Sequence, residues 1–102
     1  MQIDLDEVEI IKNPQESRFE AQVGDYLARI EYIENDRHIV YTHTIVPKEI
    51  GGQGLASMMA RTVLDYARDN DLKVVPQCPF VRAYIERHAE YQPLVWDPPG
   101  EQ

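Results

Sequence analysis

The sequence has one cysteine, few basic residues and no long apolar run, and each shortage excludes a class of protein. A single cysteine, Cys78, permits neither an intramolecular disulfide nor a cysteine-rich zinc site. The 18 acidic residues outnumber the 10 basic ones, and the net charge of −8 repels a phosphate backbone, so we expect no nucleic-acid binding. No apolar stretch approaches the ~20 residues of a membrane span. The N-terminus lacks the pattern of a signal peptide, which predicts a cytoplasmic protein without membrane attachment.

The remaining composition is typical of one small globular domain. The chain has 102 residues, which is enough for one hydrophobic core and too short for two domains. We expect a single domain over residues 1–96 and a disordered tail over residues 97–102, where proline and glycine cluster. The three histidines are scattered and no carboxylates pair with them, so no metal site is expected.

The first half of the chain has the two-residue periodicity of β-strands. Alternating apolar residues predict strands over residues 8–12, 17–23, 26–33 and 38–46, separated by polar turns. The longest strand ends at Pro47, because proline cannot donate a hydrogen bond to a neighbouring strand. Uninterrupted alternation in that strand places four residues on one face: Ile39, Tyr41, His43 and Ile45.

The second half changes to the helical period. Apolar residues at helical spacing predict a helix over residues 53–70, and a short apolar strand follows over residues 72–75. Pro79 suits the first position of a second helix, where its missing N–H costs nothing. The predicted order is β-β-β-β-α-β-α. This order indicates an α+β domain in which helices pack on an antiparallel meander.

A glycine-rich turn lies between the longest strand and the first helix. It consists of Gly51, Gly52, Gln53 and Gly54. Helix N-termini have unpaired N–H groups and partial positive charge, and glycines let a diphosphate approach those groups closely. The spacing matches neither a P-loop nor the dinucleotide-binding fingerprint. The alternative is a plain turn whose glycines only provide positive φ angles.

Three other residues have side chains suited to catalysis at such a site. Cys78 precedes the second helix, whose N-terminus would favour the thiolate; the alternative is a buried, inert cysteine. His43 could be a general base, or a hydrogen-bonded core histidine. Tyr84 could donate a proton to a leaving group, or pack in the core with its hydroxyl satisfied.

Several separate blocks of the sequence form one pattern. They are His43–Pro47, Gly52–Ala56, Leu72–Phe80, Tyr84 and His88–Tyr91 with Leu94 and Val95. Together these blocks resemble the small GCN5-related N-acetyltransferase-like proteins, a compact subgroup of the GCN5-related acetyltransferase superfamily. The resemblance covers about residues 17–95. It implies a trimmed acetyltransferase fold that binds acetyl-CoA.

The resemblance also implies roles for individual residues. Backbone amides that bind the pyrophosphate of coenzyme A belong to Gly51, Gly52, Gln53, Gly54, Leu55 and Ala56. The strand beside the pantetheine arm contributes Thr44, Ile45 and Val46. Cys78 matches a cysteine that the subgroup is suggested to use in catalysis, and Tyr84 is the counterpart of a tyrosine that protonates the CoA thiolate. Glu49 departs from the family pattern of glutamine or arginine, and we expect its carboxylate to point outward.

The expected function is therefore transfer of an acetyl group from acetyl-CoA to a primary amine of a protein, a peptide or a small molecule. The amine attacks the thioester directly, with His43 or a water as base, or Cys78 attacks first and forms an acyl-enzyme. The alternatives are a module that binds CoA without catalysis and an interaction domain without a ligand. The sequence is compatible with a monomer or a weak homodimer.

Overall fold

The computed structural model describes residues 1–97, so only Asp97 of the predicted tail over residues 97–102 is within the described residues. The elements follow the predicted order, β-β-β-β-α-β-α. The strands are β1 (Ile10–Asn13), β2 (Arg18–Val23), β3 (Tyr26–Glu34), β4 (His38–Ile45) and β5 (Lys73–Pro76). The helices are α1 (Leu55–Asp69) and α2 (Pro79–Arg87). Short 3₁₀ segments are Leu5–Glu7, Lys48–Ile50 and Ala89–Leu94.

The five strands form one sheet in the order β1-β2-β3-β4-β5. β1 to β4 are antiparallel neighbours, as predicted for a meander, whereas β5 is parallel to β4. The parallel pair is possible because α1 connects the two strands as a crossover. The predicted α+β class is confirmed. Since β4 and β5 are parallel, their C-terminal ends meet at one edge of the sheet, and the helices that follow them both begin there.

Both helices pack on the same face of the sheet. They share one hydrophobic core with the inward residues of the strands, and its largest fully buried side chains include Tyr41, Ile30, Ile39, Met59 and Leu64. Within residues 1–97 no helix covers the opposite face, which we call the open face. On that face Arg18, Glu20, Arg29 and Glu31 alternate with the core positions of β2 and β3.

β4 contains a β-bulge that makes part of the predicted facing wrong. Tyr32 of β3 is opposite Tyr41, but its neighbour Glu31 is opposite His43, so Thr42 is an extra residue in β4. An inserted residue reverses the alternation beyond it. Tyr41 is therefore fully buried in the core, whereas the side chain of His43 is 69% exposed on the open face. His43 does not share a face with Tyr41, as uninterrupted alternation had predicted.

A partly exposed Lys12 connects the edge strand β1 to β3 through an ion pair and to α1 through a hydrogen bond. The Lys12 ammonium donates to the hydroxyl of Tyr66 (2.7 Å) and lies 2.9 Å from the Glu34 carboxylate. It also lies over the rings of Tyr32 and Tyr66. Burial alone would lower the pKa of Lys12, but the hydrogen bonds to Tyr66 and Glu34 raise it well above its ordinary value. These contacts keep the ammonium charged and tie the sheet edge to the helix layer.

Candidate functional site

The glycine-rich turn ends in a helix N-terminus that no side chain caps. Gly52 has a φ of 72° and Gly54 a φ of 89°, so both adopt the left-handed conformation that favours glycine. Gly54 is the N-cap of α1; it offers no side chain to the first-turn amides, and the first turn contains no acidic residue. Uncapped N–H groups at a helix start attract anions. Lys48 and Glu49 lie in the preceding 3₁₀ turn and are both exposed.

Residues 1–7, which we call the N-terminal segment, pass over this turn. The side-chain carbonyl of Gln53 accepts a hydrogen bond from the Ile3 amide (2.9 Å), and its side-chain amide donates to the carbonyl of Met1. A Cβ at Gly54 would lie 3.3 Å from a methyl group of Leu5. The side chain of Gln53 is therefore engaged within the protein, and its backbone remains the part available to a ligand.

A cavity of about 300 Å³ opens beside the start of α1. Its lining comes from the N-terminal segment, α1 and α2, and consists of Leu5, Asp6, Gly54, Ser57, Met58, Arg61 and Tyr84. Arg61 is exposed and forms no ion pair with the described residues. Arg61 and the helix N-terminus favour a bound anion in this cavity, whereas the carboxylate of Asp6 disfavours one.

Tyr84 lies in this cavity with its ring stacked on the ring of His88, 3.9 Å between centroids. The His88 ring is held in turn by a 2.8 Å hydrogen bond between its Nδ1 and the Tyr84 carbonyl. Burial raises the pKa of Tyr84 above its ordinary value, so its hydroxyl stays protonated at neutral pH. A protonated phenol beside an anion-favouring cavity can donate a proton to a leaving group.

Cys78 and Thr44 meet at the sheet edge where β4 and β5 end. The Cys78 sulfur lies 3.1 Å from the Thr44 hydroxyl oxygen, and Cys78 is only 3% exposed. Cys78 is the N-cap of α2, and its N–H donates to the carbonyl of Tyr41 (2.9 Å). The ladder between β4 and β5 ends at Tyr41 and Pro76, whereas β3 pairs with β4 as far as Ile45. Within residues 1–97, residues 42–45 therefore have no strand partner on the β5 side.

His43 lies on the other face of the same strand and contacts Glu31. Its Nδ1 is 3.2 Å from one carboxylate oxygen of Glu31, and the second oxygen accepts a 2.9 Å hydrogen bond from Arg29 Nε. The hydrogen bond from Arg29 lowers the pKa of Glu31, despite a smaller opposing effect of burial, so the carboxylate is charged at neutral pH. The side chains of His43 and Thr44 thus point to opposite faces of β4.

The structure brings the candidate residues together in two groups on the helix side. Thr44 contacts Cys78, and Tyr84 lines one cavity with Gly54. Tyr84 follows Cys78 by six residues, roughly 9 Å along the helix axis, so the two side chains occupy different turns of α2. Sequence reasoning missed Glu31, Arg61 and the N-terminal segment. A basic residue seven positions after Gly54 on a predicted helix could have indicated Arg61, but no local pattern indicates the other two.

Among residues 1–97 no cluster of three or more histidine, cysteine or acidic side chains is arranged to hold a metal ion. The described helices are also too short or too polar to cross a lipid bilayer.

The sequence profile of the GCN5-related N-acetyltransferase family matches residues 18–94, from β2 to the last 3₁₀ segment. The chain belongs to this family. Among solved structures it is similar to a GCN5-like protein from Staphylococcus aureus determined by NMR, with 30% identity and a TM-score of 0.66 over 92% of this chain and 93% of that one. No curated protein matches the chain. The GCN5-related match includes the glycine-rich turn, Thr44 and Cys78, and it excludes the N-terminal segment and β1.

Proposed function

We propose that the protein transfers an acetyl group from acetyl-CoA to a primary amine. The observation that carries this proposal is the arrangement at one sheet edge: an uncapped helix N-terminus follows β4, and the Thr44–Cys78 pair lies where β4 and β5 part. The helix N-terminus suits a diphosphate, and the Thr44–Cys78 pair lies beside the part of β4 that has no strand partner on the β5 side in the described residues. An acyl-CoA has an anionic end and a thioester end joined by an extended arm.

The chemistry of the residues present fits the anionic part of CoA. The amides of Leu55, Ala56 and Ser57 in the first turn of α1 would bind the pyrophosphate, and Gly52, with no atom within 4 Å of an added Cβ, leaves room for it. Arg61 adds a positive charge one to two turns further along the same helix. The departure at Glu49 does not oppose this fit directly, because Glu49 is exposed in the 3₁₀ turn.

The thioester end would lie along residues 44–46, at the C-terminal end of β4 and close to Cys78. Two routes lead from there to the product. In direct transfer, the amine nitrogen attacks the carbonyl carbon, a base takes its proton, and the Tyr84 hydroxyl protonates the departing thiolate. In the two-step route, the Cys78 thiolate attacks first and displaces the CoA thiolate, and the amine then cleaves the acyl-enzyme and releases the Cys78 thiolate. Thr44 would orient the Cys78 sulfur in this second route.

Titration of the ¹⁵N-labelled protein with acetyl-CoA tests the binding step. We expect amide shifts in residues 44–46 and 51–57 and at Cys78, and few shifts at the far edge of the sheet in β1. Release of free CoA thiol in the presence of a polyamine or a lysine peptide tests transfer. Intact-mass analysis without acceptor distinguishes the routes, since only the two-step route leaves an acetyl group that Cys78→Ala abolishes. Saturating acetyl-CoA without localised shifts would contradict the proposal.

A CoA-binding module without catalysis is the second candidate. It is favoured by the open face, because no described element covers the sheet there to enclose a small acceptor. Binding with localised shifts, but with thiol release no faster than spontaneous hydrolysis for any amine, would support this candidate over the transferase.

A further inference from the structure

The β-bulge at Thr42 divides the site between the two faces of the sheet. Thr44 points inward to Cys78, whereas His43, the residue before it, points outward to Glu31. The strand edge between them has no ladder partner on the β5 side in the described residues. In the described residues, therefore, no β4–β5 ladder lies between the open face and the Thr44–Cys78 pair at residues 42–45.

Glu31 lies within ion-pair distance of the exposed His43 ring. Both of its carboxylate oxygens are engaged, one by Arg29 Nε (2.9 Å) and the other by His43 Nδ1 (3.2 Å), so the carboxylate cannot rotate without losing a partner. A carboxylate only accepts hydrogen bonds, so its position beside Nδ1 favours the neutral tautomer with the proton on Nδ1 and the lone pair on Nε2. A base with a free lone pair is what proton abstraction requires.

We propose that Glu31 is a positioning residue that orients His43 as the base for an acceptor amine arriving over the open face. The inference rests on the proposed transferase function and specifies the side from which the acceptor enters. The acceptor ammonium first loses one proton to water. As the neutral amine nitrogen bonds to the acetyl carbon and the carbon–sulfur bond breaks, the second proton passes from the nitrogen to His43 Nε2, directly or through one water. The thiolate receives its proton from Tyr84 on the helix side, and proton exchange with water then restores the neutral His43 ring and the Tyr84 hydroxyl. No other reactant is needed.

The charges on the open face are compatible with this direction of approach. Arg18 pairs with Glu20 and Arg29 with Glu31, each within one strand, so neither arginine presents an uncompensated charge to an incoming ammonium. Among residues 42–45, His43 alone has a titratable side chain. No helix of residues 1–97 covers this face, so an amine carried on a protein or peptide can reach it.

Glu20 offers a matched control for Glu31. Glu20 lies on the same face, one strand away, and pairs with the arginine two residues before it in the same way, but it contacts Asn13 instead of a histidine. We expect Glu31→Gln to lower kcat about 10-fold with the KM for acetyl-CoA unchanged, and Glu20→Gln to change kcat less than about 2-fold. Glu31→Asp should recover part of the loss. His43→Ala should lose about 100-fold or more and recover with added imidazole.

Long-range ¹H–¹⁵N NMR of the free protein provides a readout that does not depend on activity. We expect the neutral His43 ring to have its proton mainly on Nδ1, and Glu31→Gln, but not Glu20→Gln, to shift the population towards Nε2–H. An unchanged tautomer in Glu31→Gln, or equal kcat losses in the two glutamine variants, overturns this inference and leaves the transferase proposal intact. A wild-type protein that binds acetyl-CoA but transfers no acetyl group overturns both.

Discussion

Three alanine substitutions in the glycine-rich turn test whether its glycines are needed for their backbone angles. The three positions differ in φ and in the space around an added Cβ, so their substitutions separate backbone strain from steric contact. Gly51 has an ordinary φ of −81° and no neighbouring atom closer than 3.6 Å to an added Cβ. Gly52 has a φ of 72° with no atom within 4 Å, and Gly54 has a φ of 89° with Leu5 at 3.3 Å.

The expected free energies follow from these geometries. A residue with a Cβ costs about 1–2 kcal/mol in the left-handed region, so Gly52→Ala should lower the free energy of unfolding by that amount. Gly54→Ala should cost the same and up to about 1 kcal/mol more, because the Leu5 side chain must shift by a few tenths of an ångström from its present position. Gly51→Ala should be neutral or stabilise the protein by about 0.4–1 kcal/mol through the unfolded chain.

Urea denaturation followed by circular dichroism measures these differences, and a thermal melt should show about 4–8 °C for each kcal/mol. Comparison of Gly54→Ala/Leu5→Ala with Leu5→Ala alone isolates the contact with the N-terminal segment, since without the Leu5 side chain Gly54→Ala should cost no more than Gly52→Ala. If Gly51→Ala is as destabilising as Gly52→Ala, the left-handed conformation is not the cause and the reasoning is refuted.

Three further predictions concern the rest of the fold. Burial and the hydrogen bond to Asp65 raise the pKa of Tyr91 to about 12, above the unfolded value of 10.0. The stability that this hydroxyl contributes is therefore present below pH 10, and the free energy of unfolding should fall by about 2–3 kcal/mol towards pH 12. Urea denaturation at a series of pH values measures this fall, which Tyr91→Phe should reduce. Tyr41→Phe removes a buried hydrogen bond to the Val63 carbonyl and should cost about 0.5–1.5 kcal/mol, whereas Tyr26→Phe, whose hydroxyl has no partner among residues 1–97, should change stability by less than about 0.5 kcal/mol. Gln53→Ala should speed hydrogen exchange at the Ile3 amide by about 2–10-fold, and Gln22→Ala serves as the control. Equal exchange rates at Ile3 in the two variants would contradict the contact between Gln53 and Ile3.

Periodicity was sufficient to predict the strands, helices and their order, because each element has one apolar face at its own spacing. Ala28, Ile30 and Tyr32 alternate along β3, and all three are buried. The parallel orientation of β5 follows from the crossover through α1 once the strands are placed. The N-terminal segment was not predictable, because Gln53 contacts Ile3 and Met1 across about fifty residues of sequence and no local pattern encodes that contact.

The bulge in β4 shows why the candidate site was harder to predict than the fold. The sequence predicts one continuous strand over residues 38–46 whose side chains point to alternate faces, and nothing in its composition marks Thr42 as an extra residue. With a regular ladder, His43 would enter the core and Thr44 would face away from Cys78. The inserted residue avoids burial of an imidazole and produces both contacts at once, Thr44 with Cys78 and His43 with Glu31. Because one irregularity sets both faces of the strand edge, any change that restores regular pairing at Thr42 should separate both pairs together.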